Sequence, residues 1–165
     1  MQENKIFWTT DENSRTKQIL DLLELNYNTK DQSQYGISNM GKKPGSVDGV
    51  VVDKNRVEYF IEALNLQNLN KEYIQMHINK LESKYDSKGL KNKFLIVYCN
   101  IADSSFEAFF EKFYNYVNSE VQFDYSKLSI EKINSDYTNQ RIIKTVHLRE
   151  SIEVNLYHIL LKIPK

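Results

Sequence analysis

The sequence predicts an α/β fold in which a mixed central β-sheet is flanked by helices. Three observations predict it. The run KFLIVYCNI is continuously apolar and of strand length, which is typical of a strand covered on both faces. Segments with helical periodicity lie before and after this run. Three segments near the C-terminus alternate apolar and polar residues as strands do, so helices and strands should pack as layers.

Each element follows from its local pattern. The first helix covers residues 11–25 and is capped by Thr10 or Asp11. The polar stretch TKDQSQYGISNMGKKPG is a loop because it holds three glycines and a proline. The predicted order is αββαβα followed by C-terminal β-strands, within a single domain of residues 1–165. After the loop come the segments SVDGVVV, VEYFIEAL, NLNKEYIQMHINKLESKYD, KFLIVYCNI, SSFEAFFEKFYNYVNSE, LSIEKIN, RIIKTVHLR and IEVNLYHILLKI.

Composition excludes several classes of function. Lys plus Arg and Asp plus Glu each total 22, so zero net charge gives no global attraction to nucleic acid. The single cysteine, Cys99, forms no internal disulfide, and its count excludes a zinc site of several cysteines. The N-terminus has no signal-peptide pattern, and no apolar run reaches the roughly 18 residues of a membrane span. We therefore expect a soluble, cytoplasmic protein without a membrane partner.

Two carboxylates occupy unusual places in the stretch PGSVDGVVVDKNRVEYFIEALNL. Asp48 precedes one predicted strand, and Glu62 lies inside the next. A three-residue loop, 54–56, would pair Asp48 with Glu62 on one face of the hairpin. A two-residue loop, 54–55, would place them on opposite faces. The sequence favours neither strongly, because Lys54-Asn55 is not the Asn-Gly or Asp-Gly of a typical two-residue turn.

Glu62 needs a partner, because an unpaired carboxylate is costly to bury. If both carboxylates share a face, they repel one another, and a divalent cation such as Mg²⁺ or Mn²⁺ removes the conflict. The alternative is that Glu62 pairs with a nearby lysine or arginine, while Asp48 serves only the turn before Gly49.

The residues GSVDGVVV…FIEAL resemble the PD-(D/E)xK nuclease superfamily, which has the restriction-endonuclease-like fold. Its pattern is an aspartate at a strand start, Glu/Asp-x-Lys on the adjacent strand, then a helix and another strand. Asp48 and Glu62 match the acidic positions, and residues 70–85 and 93–100 match the helix and the strand. The resemblance covers roughly residues 10–117, and Leu64 stands where the family lysine belongs.

This resemblance implies Mg²⁺- or Mn²⁺-dependent hydrolysis of a DNA phosphodiester. Asp48, Glu62 and the carbonyl of Ala63 would hold the ion. Lys80, on the following helix, would replace the missing lysine, and His77, three residues earlier, would be its reserve. The further site residues implied are the acidic Glu12 and, as supporting hydrogen-bond partners, Gln32 and Gln34.

Contacts to the DNA backbone would have to come from local basic clusters. One cluster is Lys42 with Lys43, and the other is Lys88 with Lys91 and Lys93; each is alternatively a solvated surface. The wider string DQSQYGISNMGKKPGSVDG…IEALNLQNLNKEYIQMHINKLESKYDSKG also resembles a restriction-like module found in bacterial defence proteins, which implies a role in antiviral defence and attachment to a larger defence protein. The resemblance to restriction-like nucleases implies a homodimer. The alternative to a nuclease is a catalytically inactive module of the same fold that binds nucleic acid or a protein partner.

Overall fold

A computed structural model of the protein describes residues 9–31 and 47–163. None of the helices within these two ranges is long and apolar enough to cross a membrane. The elements, in chain order, are α1 (Glu12–Leu23), β1 (Asn28–Asp31), β2 (Gly49–Val52), β3 (Glu58–Leu66), α2 (Lys71–Asn79), a π-helical turn (Lys80–Lys84), β4 (Asn92–Cys99), a 3₁₀ turn (Asp103–Ser105), α3 (Phe106–Ser119), β5 (Ser126–Ile133), β6 (Gln140–Arg149) and β7 (Ile152–Lys162).

The strands form one seven-stranded sheet in the order β1-β2-β3-β4-β7-β6-β5. The three central strands, β3, β4 and β7, run parallel, and the outer strands pair antiparallel. Parallel neighbours need a long crossover, and α2 with the π-helical turn supplies it between β3 and β4. The predicted α/β class, with a mixed central sheet flanked by helices, is confirmed.

Strand β1 is the element that the sequence did not predict. Residues 29–31 were assigned to the polar loop, but Asn28–Asp31 pair with β2 at one edge of the sheet. The segment NTKD is largely exposed, so it has no apolar alternation to reveal it. Strand β1 is held by its backbone pairing with β2 and by the Thr29 hydroxyl, which donates to Glu24 Oε1 at 2.9 Å. The observed order is therefore αβββαβα followed by three strands.

Helices α2 and α3 cover one face of the sheet and enclose the main core. Alternate residues of β3, Phe60 and Leu64, point into it. Ile78 of α2 and Phe113 of α3 meet them there, each with no exposed surface. The aromatic positions of α3 are core residues, as their helical spacing predicts: Phe106, Phe109, Phe110 and Phe113.

Helix α1 covers part of the opposite face. Its Leu20 lies so close to Gly49 that a Cβ added there would be 2.9 Å from Leu20 Cδ2. Beside α1 lies an apolar groove of about 420 Å³, whose lining includes Ile61 of β3 and Phe94 of β4. Glu62 points to the other face because side chains alternate along a strand. The groove is therefore separate from the carboxylate pair.

Truncating Phe113 tests the main core. Phe113→Ala should lower the free energy of unfolding by about 3–5 kcal/mol, because it removes a fully buried aromatic ring and leaves a cavity. Chemical denaturation followed by circular dichroism measures the change. Tyr137, which is 68% exposed, is the control, and Tyr137→Ala should change the stability by less than about 0.5 kcal/mol. Equal effects of the two substitutions would contradict the described core.

Candidate metal site

The β2–β3 hairpin brings the two carboxylates opposite one another. Gly49 pairs with Ile61, and continuing this register by one residue places Asp48 opposite Glu62. The loop has three residues, since the Asp53 N–H donates to the Val57 carbonyl at 3.0 Å. Arg56, its last residue, has a left-handed φ of 62°, as expected in a three-residue hairpin loop. The longer of the two predicted loops is therefore the one that forms.

Asp48 is anchored to the backbone of β3. Its Oδ2 accepts a hydrogen bond from the Ala63 N–H at 2.8 Å. Strand β2 begins only at Gly49, so the Asp48 carboxylate occupies the place along β3 where backbone pairing with β2 ends. The contact is to the Ala63 N–H, whereas the predicted ion ligand is the carbonyl of the same residue.

Glu62 is buried, and its two oxygens have different surroundings. Oε2 lies 3.0 Å from His77 Nδ1 and accepts a hydrogen bond from Lys80 Nζ at 3.1 Å. Oε1 is buried, and no described residue reaches it in hydrogen-bond geometry, although the Asp48 backbone lies near enough to the Glu62 carboxylate to act toward lowering its pKa. A buried polar atom without a partner is uncommon in native proteins and calls for a physical explanation.

Helix α2 carries His77 and Lys80 to Glu62. Asn70 caps the helix, its side chain accepting from the Tyr73 N–H, and Ile74 and Ile78 fix one helix face in the main core. His77 lies in the last turn of α2, and Lys80 is the first residue of the π-helical turn. Such π-helical segments are frequent at functional sites, and nothing in the sequence pattern announces this one.

A third carboxylate, Glu12, lies in the first turn of α1. Its Oε2 accepts from the Asn65 N–H at 2.8 Å, two residues along β3 from the contact that Asp48 makes. Two residues near Glu12, Asn65 and Arg15, are not among the predicted site residues. The Asn65 side chain accepts from Arg15 Nη1 at 2.7 Å, and Arg15 is only 3% exposed. The sequence feature that could have linked Arg15 to the site is its spacing of three residues from Glu12, which places both side chains on the same side of the helix.

Burial dominates the electrostatics of the cluster. It raises the pKa of Glu62 to about 7, although the charge of Lys80 acts in the opposite direction. Burial and the neighbouring Glu62 together raise the pKa of Asp48 to about 6. Burial and Lys80 lower the pKa of His77 to about 4, so its imidazole is neutral at pH 7. Each of these groups resists carrying its charge without further compensation.

The donor atoms fit a divalent cation. One ligand atom each from Asp48, Glu62 and His77 lies within 4.8 Å of the others. The unpartnered Glu62 Oε1 gives independent support, since a bound cation would satisfy it. Mg²⁺ is typically held by one or two carboxylates together with water and substrate oxygens. The described residues are therefore compatible with the ion that the sequence predicts.

The structure does not bring the second basic cluster to this site. Lys88 pairs with Glu58 at 2.7 Å, and Glu58 lies four residues, or about 13 Å along β3, before Glu62. Lys91 is exposed. Neither expectation for Lys93, a DNA contact or a solvated surface, holds, because it is 2% exposed and pairs with buried Asp86 at 2.7 Å. Outside the described residues lie four other predicted positions: Gln32, Gln34, Lys42 and Lys43.

Two further histidines form a separate polar cluster inside the main core. His147 Nε2 lies 2.8 Å from Thr145 Oγ1, and His158 Nε2 lies 3.3 Å from the same hydroxyl. His158 is fully buried, as its apolar strand predicts, and its Nδ1 has no partner among the described residues. Burial, with the neighbouring His147, lowers the pKa of His158 to about 3. This cluster belongs to the fold rather than to the carboxylate site.

His158 should make the protein less stable as the pH is lowered. Its pKa is about 6.5 in the unfolded chain and about 3 in the folded one, so below pH 6.5 the unfolded state binds a proton that the folded state does not. From pH 7 to pH 5 the free energy of unfolding of the wild type should fall by about 2 kcal/mol relative to that of His158→Gln. Denaturation at both pH values measures this. A difference that does not change with pH would contradict the assignment.

Comparisons with known proteins identify no relative from which the site could be interpreted. No protein-family model, no curated protein and no solved structure matched the chain.

Proposed function

We propose that the protein is a metal-dependent nuclease that hydrolyses a DNA phosphodiester, on a restriction-endonuclease-like fold. The observation that carries the proposal is the convergence of Asp48, Glu62 and Lys80, with Glu62 Oε1 buried and unpartnered. The metal chemistry rests on this geometry, and DNA as the substrate rests on the resemblance to the PD-(D/E)xK superfamily.

Each residue has a role in this proposal. Asp48, Glu62 and the carbonyl of Ala63 would hold Mg²⁺ or Mn²⁺. The bound ion would polarise the phosphate and lower the pKa of a water. Lys80 keeps Glu62 oriented through Oε2 and adds positive charge where negative charge develops. Leu64 is fully buried in the main core, so the lysine role falls to Lys80.

Glu12 and His77 complete the proposed set. Glu12 fixes the backbone of β3 at Asn65 and adds a third carboxylate to this edge of the sheet. His77 holds Glu62 Oε2 from the side of α2, with Nδ1 at 3.0 Å.

The antiviral role, the homodimer and the attachment to a larger defence protein belong to the same proposal and rest on the resemblance alone.

A second candidate is a catalytically inactive module of the same fold that binds nucleic acid or a protein. The Lys80–Glu62 ion pair favours it, because Lys80 can neutralise Glu62 without a metal. Leu64 in place of the motif lysine favours it as well. The two candidates differ in whether a divalent cation binds at the carboxylates.

Two assays on the wild-type protein distinguish the candidates. Supercoiled plasmid is incubated with the protein and Mg²⁺, Mn²⁺ or EDTA, and unfolding is followed with and without each ion. The nuclease should cut only with metal. It should also gain about 2.7 kcal/mol of stability at an ion concentration 100 times the dissociation constant. No cutting and an unchanged unfolding curve with both ions would overturn the nuclease and favour the inactive module.

A further inference from the structure

His77 adds a nitrogen to a cluster that otherwise offers carboxylate oxygens. Its ligand atom lies within 4.8 Å of those of Asp48 and Glu62, and its side chain is buried. Its ring meets the Tyr73 ring edge-on, with centroids 4.7 Å apart, which restricts how the imidazole can turn. The imidazole is therefore held beside the carboxylates rather than being free to swing toward solvent.

The separation of the donor atoms suits a shared ion. His77 Nδ1 and Glu62 Oε2 are 3.0 Å apart. Two adjacent ligands of an octahedral ion with bonds of about 2.1 Å are also about 3.0 Å apart. Ligation requires the proton between His77 Nδ1 and Glu62 Oε2 to leave to water, so that Nδ1 presents a lone pair and Nε2 carries the imidazole proton. Because Lys80 donates to the same Glu62 oxygen, Glu62 remains oriented toward the cluster when this proton leaves. Oε1, which has no partner among the described residues, supplies a further ligand atom.

A nitrogen ligand changes which metal the site prefers. Mg²⁺ is a hard cation that takes oxygen ligands, whereas imidazole suits later first-row ions such as Fe²⁺, Ni²⁺ and Zn²⁺. Mn²⁺ shares the oxygen preference of Mg²⁺, so it is a stringent first-row probe of a nitrogen ligand. We propose that His77 is the third protein ligand, beside Asp48 and Glu62, and that the site takes a first-row transition-metal ion in preference to Mg²⁺. This inference deepens the proposed function and rests on its metal site, but it does not require DNA to be the substrate.

Mn²⁺ is the probe that tests the inference, because its binding can be followed by EPR without any turnover. The wild-type protein should bind Mn²⁺ more tightly than Mg²⁺, and bound Mn²⁺ should show the nitrogen coupling of an imidazole in pulsed EPR. The chain has three histidines, and the other two lie in the core around Thr145. A coupling that disappears in Asp48→Asn would therefore come from His77.

His77→Gln removes the imidazole but keeps a polar side chain near Glu62. It should weaken Mn²⁺ binding about tenfold or more, change Mg²⁺ binding less than threefold, and abolish the nitrogen coupling. The matched control is His158→Gln, the same change at a buried histidine outside the cluster, which should leave both affinities unchanged. If His77→Gln does not fold, the nitrogen coupling of the wild-type protein still decides the question.

The outcomes separate this inference from the proposed function. Bound Mn²⁺ without nitrogen coupling, or equal losses of Mg²⁺ and Mn²⁺ affinity in His77→Gln, would overturn the role of His77 and leave the nuclease standing. Nitrogen-coupled Mn²⁺ without cleavage of plasmid would support His77 and overturn the nuclease. If neither Mn²⁺ nor Mg²⁺ binds, both proposals are overturned.

Discussion

Asp48→Asn should abolish metal-dependent cleavage of plasmid while leaving the protein folded. The amide keeps an oxygen that accepts from the Ala63 N–H, so the hairpin contact survives. It loses the negative charge that holds the ion. Metal stabilisation of the transition state is worth several kcal/mol, and each 1.36 kcal/mol is a factor of ten, so the rate should fall about a thousandfold or more. Plasmid cleavage with Mg²⁺ or Mn²⁺ measures it.

The matched control for Asp48→Asn is on the same hairpin. Asp53 also accepts backbone N–H groups through its carboxylate, from Asn55 at 2.8 Å and Val57 at 2.9 Å. Asp53→Asn makes the same chemical change at the turn and should cut plasmid like the wild type. If Asp48→Asn still cuts at the wild-type rate, the carboxylate is not an ion ligand and the proposed mechanism fails.

Lys80→Met should lower cleavage and stability together. The substitution keeps the length of the side chain but leaves Glu62, which is fully buried, without its cationic partner. Breaking a buried ion pair costs about 3–5 kcal/mol, and Lys80 is partly exposed, so we expect the lower end of this range or somewhat less. Cleavage should fall about a hundredfold or more, as for loss of a group that stabilises developing charge.

Added metal should distinguish the loss of stability in Lys80→Met from the loss of cleavage. A cation at Glu62 would replace part of the lost charge, so Mg²⁺ should stabilise Lys80→Met more than it stabilises the wild type. The control is Lys88→Met, which breaks a surface pair with Glu58 at 2.7 Å and should change stability by about 1 kcal/mol at most. Full cleavage by Lys80→Met would mean that Lys80 does not replace the motif lysine.

The carboxylate pair was predictable from the sequence except for one point, which was whether the hairpin loop has two or three residues. Strand periodicity placed Asp48 and Glu62 on a common face if the loop had three residues, and the structure has that loop. The loop length could not be predicted from the sequence, because the three-residue loop depends on Arg56 adopting a left-handed φ of 62°. Asn or Gly would have signalled such a conformation, whereas arginine rarely adopts it.

The rest of the site depends on tertiary contacts that carry no local signal. Lys80 was named because it follows Glu62 on the next helix, but the π-helical turn in which it lies has no sequence pattern. The buried state of Arg15 depends on Asn65, which is 50 residues away. Lys93 was misassigned for a similar reason, because its partner Asp86 reaches it only after the turn that precedes β4. Arg15 and Lys93 are charged residues whose burial depends on partners that the local sequence does not reveal.

The central claim is that Asp48 and Glu62 share one metal ion, and a crystal grown with Mn²⁺ tests it most directly. An anomalous difference map should show one peak within about 2.5 Å of a carboxylate oxygen of each residue, the range of ordinary metal–oxygen bonds. Asp48→Asn crystals treated in the same way should lack it. A wild-type map without a peak, or with a peak that touches neither carboxylate, would contradict the claim and leave Glu62 as the partner of Lys80 and His77 alone.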